Sequence, residues 1–240
     1  MNTNSKPLSL YDIIVAEVES VAEKSLHALE ASLTDKCPTA GRYGNVSDLI
    51  LSTSALLQEK LPNTRGMIEM DKKQLLANWP KLERGLERMA SFLDSQRVFD
   101  EARLPTNAVL AVIAAAYELI PDHGDFLAKA EKLLRRYLWS AFFTDRYENT
   151  AASRAFADFK AIKALLRKPG FTDSELATVP ALNRTEFPLA DVDSLMAAGW
   201  PKAAGIEARA ILAVSTYLGA IDFADHKPAT YDSIQKREYH

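Results

Sequence analysis

From Ala130 to Lys168 the apolar residues recur at steps of three and four. Leu127, Ala130, Leu134, Leu138, Ala141 and Phe142 form one stripe, widened by Tyr137, Trp139 and Phe143. Ala155, Phe159, Ile162 and Leu166 form a second. This spacing predicts two consecutive amphipathic helices. The polar stretch Thr144 to Thr150 between them reads as an elbow. The same period runs through Leu10, Ile14, Val18, Val21, Ser25, Leu29 and Leu33, and through Leu75, Trp79, Leu82, Leu86, Met89 and Leu93. Period-two runs of β-branched residues are absent. The expected class is therefore all-α. We expect one helical domain over residues 1–240, an irregular bundle of about eight or nine helices around a buried central pair.

Punctuation sets the element ends. Ser9 is placed to cap the first helix, and Ser47 to cap a helix from Asp48 to Lys60 that Pro62 closes. Asp71 reads as a cap with Gln74 as its reciprocal partner. Pro80 means either a helix restart or a kink. Pro105 and Thr106 open a helix from Asn107 to Ile120, and Pro121, Asp122 and Gly124 end it. Within it, Ala108 to Tyr117 is the longest apolar run. It is too short for a membrane span, which needs about 20 residues, and reads as a helix buried nearly all round. Pro169 and Gly170 stop the second organising helix. Residues 171–201 are the least regular, with a short helix near Val192 to Ala198, and a last strong helix covers Ile206 to Leu218.

The chain carries a net charge of −3, but from Lys129 to Lys168 ten Lys or Arg stand against four Asp or Glu. A protein that coats nucleic acid is usually more basic overall, so any such role falls to this local face. Lys129, Lys132, Arg136, Arg146, Arg154, Lys160, Lys163, Arg167 and Lys168 are the candidates for DNA phosphate contact. Two other readings of the face stand open. It is a solvated surface balanced by acids from neighbouring helices, or Arg135, Arg136 or Arg146 is buried and paired with Asp145 or Asp158. The aromatic group Tyr137, Trp139, Phe142, Phe143 and Tyr147 reads as core.

The case for an active site is thin. His27, His123, His226 and His240 form no i, i+4 pair, and no glycine-rich phosphate loop follows a strand. Asp122, His123 and Asp125 in PDHGD read as an inter-helix turn. The single cysteine, Cys37, rules out a disulfide or a Cys-rich zinc site and fits a reducing, cytoplasmic setting. MNTNSKPLSL has no apolar stretch of the signal-peptide kind. No cofactor, metal or membrane partner is expected.

The run RRYLWSAFFTDRYENTAASRAFADFKAI resembles the helical region of large bacterial DUF262-containing proteins. The resemblance rests on Arg136, Tyr137 and Trp139, then Phe143, Arg146 and Tyr147, then Asp158 in the next helix. LPTNAVLAVIAA, Leu104 to Ala115, looks like the helix that precedes this region there. Residues 1–18, through Leu8, Ser9, Tyr11, Asp12 and Ala16, resemble the end of the family's ParB/sulfiredoxin-like amino-terminal domain. Residues 236–240, ending at His240, resemble the start of a DUF1524 domain of HNH-endonuclease type.

The resemblance implies the middle region of a restriction or anti-phage nuclease, with both catalytic domains largely missing. It implies a non-catalytic helical connector or scaffold that contacts DNA phosphates through the basic face, with the flanking nuclease domains or another copy as partners. The alternatives are a standalone nucleic-acid-binding or oligomerisation module, and a small hydrolase of unrecognised type.

Overall fold

The structure is a computed structural model that describes residues 8–22, 24–168, 170–198, 205–221 and 226–235. Residues 236–240, His240 among them, and the first seven residues lie outside that range, so the expected flanking motifs are only partly covered. The described residues build an all-α bundle. The only pairing of extended backbone among them is an isolated bridge between Ile221 and Pro228.

Helix α1 (Leu10–Val21) starts where Ser9 predicts. The Asp12 N–H donates to Ser9 Oγ at 3.1 Å, and the Ser9 N–H donates back to Asp12 Oδ2 at 2.9 Å. This reciprocal box satisfies two backbone donors that the first turn leaves open. The long period from Leu10 to Leu33 does not make one helix. Ala22 is extended, and a second helix, α2 (Leu26–Lys36), begins after Ser25. A straight helix over that span would be about 36 Å long. Broken, its two halves pack on each other and bury Ile14 and Val18 with Leu26 and Leu33. Val21, the next member of the stripe, is left exposed.

Helix α3 (Val46–Leu57) begins two residues before the expected Asp48. Asn45 takes the cap, its Oδ1 accepting from the Ser47 N–H at 2.8 Å, and the Ser47 hydroxyl bonds Glu30 instead. After the short α4 (Thr64–Ile68) comes α5 (Lys72–Ala77), capped by Asp71 as expected. Its reciprocal partner is not Gln74. The Asp71 N–H donates to Gln58 Oε1 at 2.8 Å, at the end of α3. Pro80 marks a restart, lying in the first turn of α6 (Trp79–Ser95). A first-turn proline lacks only an N–H that no helix would use there.

The centre of the bundle is α7 (Ala108–Ala116), which runs on into a 3-10 turn at Tyr117–Leu119. Residues Val109 to Ala116 are all buried, with α3 and α6 packed on its sides. Burying Val109, Leu110, Val112 and Ile113 contributes about 1.5–3 kcal/mol each. Gly85 of α6 lets that helix approach: a Cβ there would stand 2.4 Å from the Ala114 carbonyl oxygen.

The two organising helices are α8 (Asp125–Phe142) and α9 (Ala151–Leu166). Helix α9 lies along α7, so the buried centre falls on the helix before the pair. Three shorter helices complete the described chain: α10 (Val192–Ala197), α11 (Ile206–Tyr217) and α12 (Tyr231–Gln235). No helix among the described residues is long and apolar enough to cross a membrane.

Candidate functional site

The elbow between α8 and α9 folds inward. The Thr144 hydroxyl donates to the Ser140 carbonyl at 2.8 Å and closes the end of α8. A 3-10 turn at Asp145–Tyr147 then places both Arg146 and Tyr147 in the interior. Opposite them, α9 presents Asp158, which has no exposed surface. Arg146 Nε donates to Asp158 Oδ2 at 3.1 Å and Nη2 to Oδ1 at 3.0 Å. The Tyr147 hydroxyl donates to Oδ2 at 2.6 Å, and the Ala181 N–H donates to Oδ1 at 3.1 Å. Tyr137 of α8 completes the group, its hydroxyl 2.5 Å from that of Tyr147.

Burial pushes the Asp158 carboxyl up from its ordinary value, against the bonds from Tyr147 and Arg146 that pull it down. Burial, reinforced by the Asp158 charge, also raises both tyrosines well above theirs. A charge so placed is tolerable only when paired and fully hydrogen-bonded. Four of the residues that carry the family resemblance, Tyr137, Arg146, Tyr147 and Asp158, therefore meet in one buried network. The internal Arg146–Asp158 tie is one of the readings the sequence left open.

Arg146 accordingly leaves the set of phosphate contacts: its side chain is 6% exposed and committed to Asp158. Arg154 is half-buried, and its Nη1 donates to the Asp145 and Arg146 carbonyls at 3.1 and 2.6 Å, locking the elbow from outside. Its guanidinium and that of Arg146 both lie over the Phe187 ring.

The remaining cations divide between the two helices. On α8, Lys132 and Arg136 reach the same Asp173 oxygen at 3.3 and 3.1 Å, and Lys129 lies 4.5 Å over the Phe171 ring. On α9, Lys163 pairs with Glu59 at 3.0 Å, while Lys160 and Arg167 are exposed. Lys168 pairs with Glu175 at 3.3 Å. Asp173 and Glu175 belong to one 3-10 helix, Asp173–Thr178, which thus ties the α8 cations to the end of α9. The bond from Lys132, with Arg136 beside it, holds the Asp173 carboxyl below its usual range, and the Thr172 N–H, then Lys168, do the same for Glu175.

Of the other candidates, Asp122 pairs with Arg88 at 3.2 Å, and Cys37 is buried, its thiol pushed up by that burial. Among the described residues no three His, Cys, Asp or Glu stand together as a metal site. Sequence reasoning missed a cleft beside the elbow, of about 690 Å³, where Arg136 and Trp139 of α8 face Arg184 and Leu189. Arg184 to Ala190 carry no periodic signal. Their position is set by tertiary bonds such as Ala190 N–H to the Phe143 carbonyl at 2.8 Å. No protein-family model matches the chain, and no curated protein matches it.

Proposed function

We propose that the chain is a non-catalytic helical connector of a DUF262/HNH-type defence nuclease, contacting DNA phosphates through the exposed cations of α8 and α9. The observation that carries this reading is the convergence of Tyr137, Arg146, Tyr147 and Asp158 in one buried network. The residues that resemble the family motif act here as a rivet that fixes the angle between two cation-bearing helices. A part whose task is to hold flanking elements in register needs such a rigid joint. The phosphate-contacting set is then Lys132, Arg136, Lys160, Arg167 and Lys168, since Lys129 is half-buried over Phe171 and Lys163, 13% exposed, is committed to Glu59. In it Lys132 and Arg136 share one carboxylate, which leaves that end of the face net positive. The single buried thiol fits a cytoplasmic setting.

The test is a titration of the chain with short duplex and single-stranded DNA, and the double charge reversal Lys160→Glu/Arg167→Glu. Binding that the reversal abolishes supports the reading, and affinity indifferent to it removes these cations from the contact.

A second reading, an oligomerisation module, is favoured by a separate observation. Val192, Met196, Leu218 and Ile221 are large apolar side chains left exposed near α10 and α11. Light scattering across a concentration series distinguishes a self-associating chain from a monomer.

A further inference from the structure

The cleft beside the elbow has the composition of a ligand site rather than of a packing gap. Its volume of about 690 Å³ falls within the range that small-molecule sites occupy. One wall is apolar, made by Trp139, Phe143, Leu176, Leu182 and Leu189. Trp139 is braced there, its ring stacked on Phe143 at 6.3 Å and tilted against Tyr217 at 5.1 Å. The Trp139 indole N–H is sealed from solvent and has no hydrogen-bond acceptor among the described residues.

Two arginines face this wall. Arg184 is held by its Nη1, which donates to the Ala181 and Phe187 carbonyls at 3.3 Å, and by its Nη2, which donates to the Ser140 hydroxyl. That leaves the Nε–H and one Nη2–H of the guanidinium fork without a protein acceptor among the described residues. Arg136, on the rim, shares Asp173 with Lys132. The cleft's own cations, Arg136 and Arg184, thus face one carboxylate, which Lys132 outside the lining also engages, and the excess positive charge lies beside an aromatic wall.

We propose that this cleft binds a small amphipathic anion. Its apolar body, aromatic or alkyl, lies on the Trp139–Phe143–Leu176 wall, and its single carboxylate, sulfonate or phosphate group sits between Arg184 and Arg136. The apolar wall supplies affinity through burial, and the guanidinium fork selects the charged end by charge-assisted hydrogen bonds. Apart from Arg136, which both readings use, the residues of this site lie outside the phosphate-contacting set.

The full chain is titrated with 8-anilino-1-naphthalenesulfonate, followed by its fluorescence. The proposal expects saturable binding of one probe per chain. Octanoate displaces the probe, whereas octyl glucoside, with the same alkyl body and no charge, and inorganic phosphate, with charge and no body, do not. Ala177→Trp, which crowds an exposed position on the cleft lip, and Arg136→Gln each weaken binding about tenfold with an unchanged far-ultraviolet dichroism spectrum. Asp173→Asn tightens it, because it frees Lys132 and Arg136 from their carboxylate. Non-saturable binding, equal displacement by octyl glucoside, or probe affinity indifferent to Ala177→Trp would overturn the proposal.

Discussion

Arg146 grips Asp158 through two parallel bonds, Nε to Oδ2 at 3.1 Å and Nη2 to Oδ1 at 3.0 Å, with side-chain exposures of 6% and 0%. One residue stands in the elbow, on its 3-10 turn, and the other inside α9. Their bond therefore fixes how the second helix leaves the first. Tyr147 and Tyr137 extend the grip back into α8.

Removing one partner strands the other. Asp158→Ala leaves the Arg146 guanidinium buried without its counter-ion, and we expect a loss of about 3–5 kcal/mol in urea unfolding. Tyr147→Phe removes one neutral donor and lowers stability by about 1–3 kcal/mol. A change of less than about 1 kcal/mol for Asp158→Ala would mean that the pair does not hold the elbow.

Gly85→Ala is expected to destabilise although alanine is the better helix former. The gain in helix propensity is about 1 kcal/mol. Against it, the new Cβ would lie 2.4 Å from the Ala114 carbonyl oxygen, a backbone atom of α7 that cannot swing aside. Overpacking of this kind costs about 1–3 kcal/mol. A lower thermal midpoint for the variant is the expected result, and a higher one would show that α6 and α7 are further apart.

The Glu175 carboxylate accepts from the Thr172 N–H, then from Lys168 and the Thr172 hydroxyl, and these bonds hold it below its ordinary 4.5. A group whose folded value is depressed stabilises above its unfolded value, and that stability is lost as pH falls from 4.5 through the folded value. Glu175→Gln should therefore flatten the acid limb of stability against pH and leave the neutral plateau shape unchanged. Asp158 has the opposite sign. Burial raises it above 3.8, so its contribution shrinks as pH rises from there. Subtracting the variant from the parent chain isolates Glu175 from it. An acid limb of equal slope in both proteins would show that the Thr172–Glu175 box does not form.

Local signals in the sequence carried furthest. The Ser9 and Asp71 caps follow from chemistry within a few residues, and the structure has them; at Pro80, where a restart and a kink both stood open, it has the restart. The break after Val21 was hidden because the apolar period continues through it, and only packing of α1 on α2 decides that the helix folds back. The Arg146–Asp158 tie was legible as one option, since Arg146 lies in the elbow and Asp158 in the helix that follows it. Which arginine turns inward depended on the 3-10 turn, for which the sequence has no distinct mark. The pairs Lys163–Glu59 and Lys132–Asp173 join distant segments and were legible only as a general expectation of balancing acids. The cleft was invisible for the same reason, because its second wall comes from the least regular part of the chain.

The central claim, a connector that touches DNA phosphates, is tested most directly by fluorescence anisotropy of the chain with short duplex and single-stranded DNA at about 50 and 200 mM salt. The account predicts binding to both, weakening steeply as salt rises, and lost in Lys160→Glu/Arg167→Glu. No binding at the lower salt would contradict the phosphate-contacting role and leave the cations of α8 and α9 as internal ties.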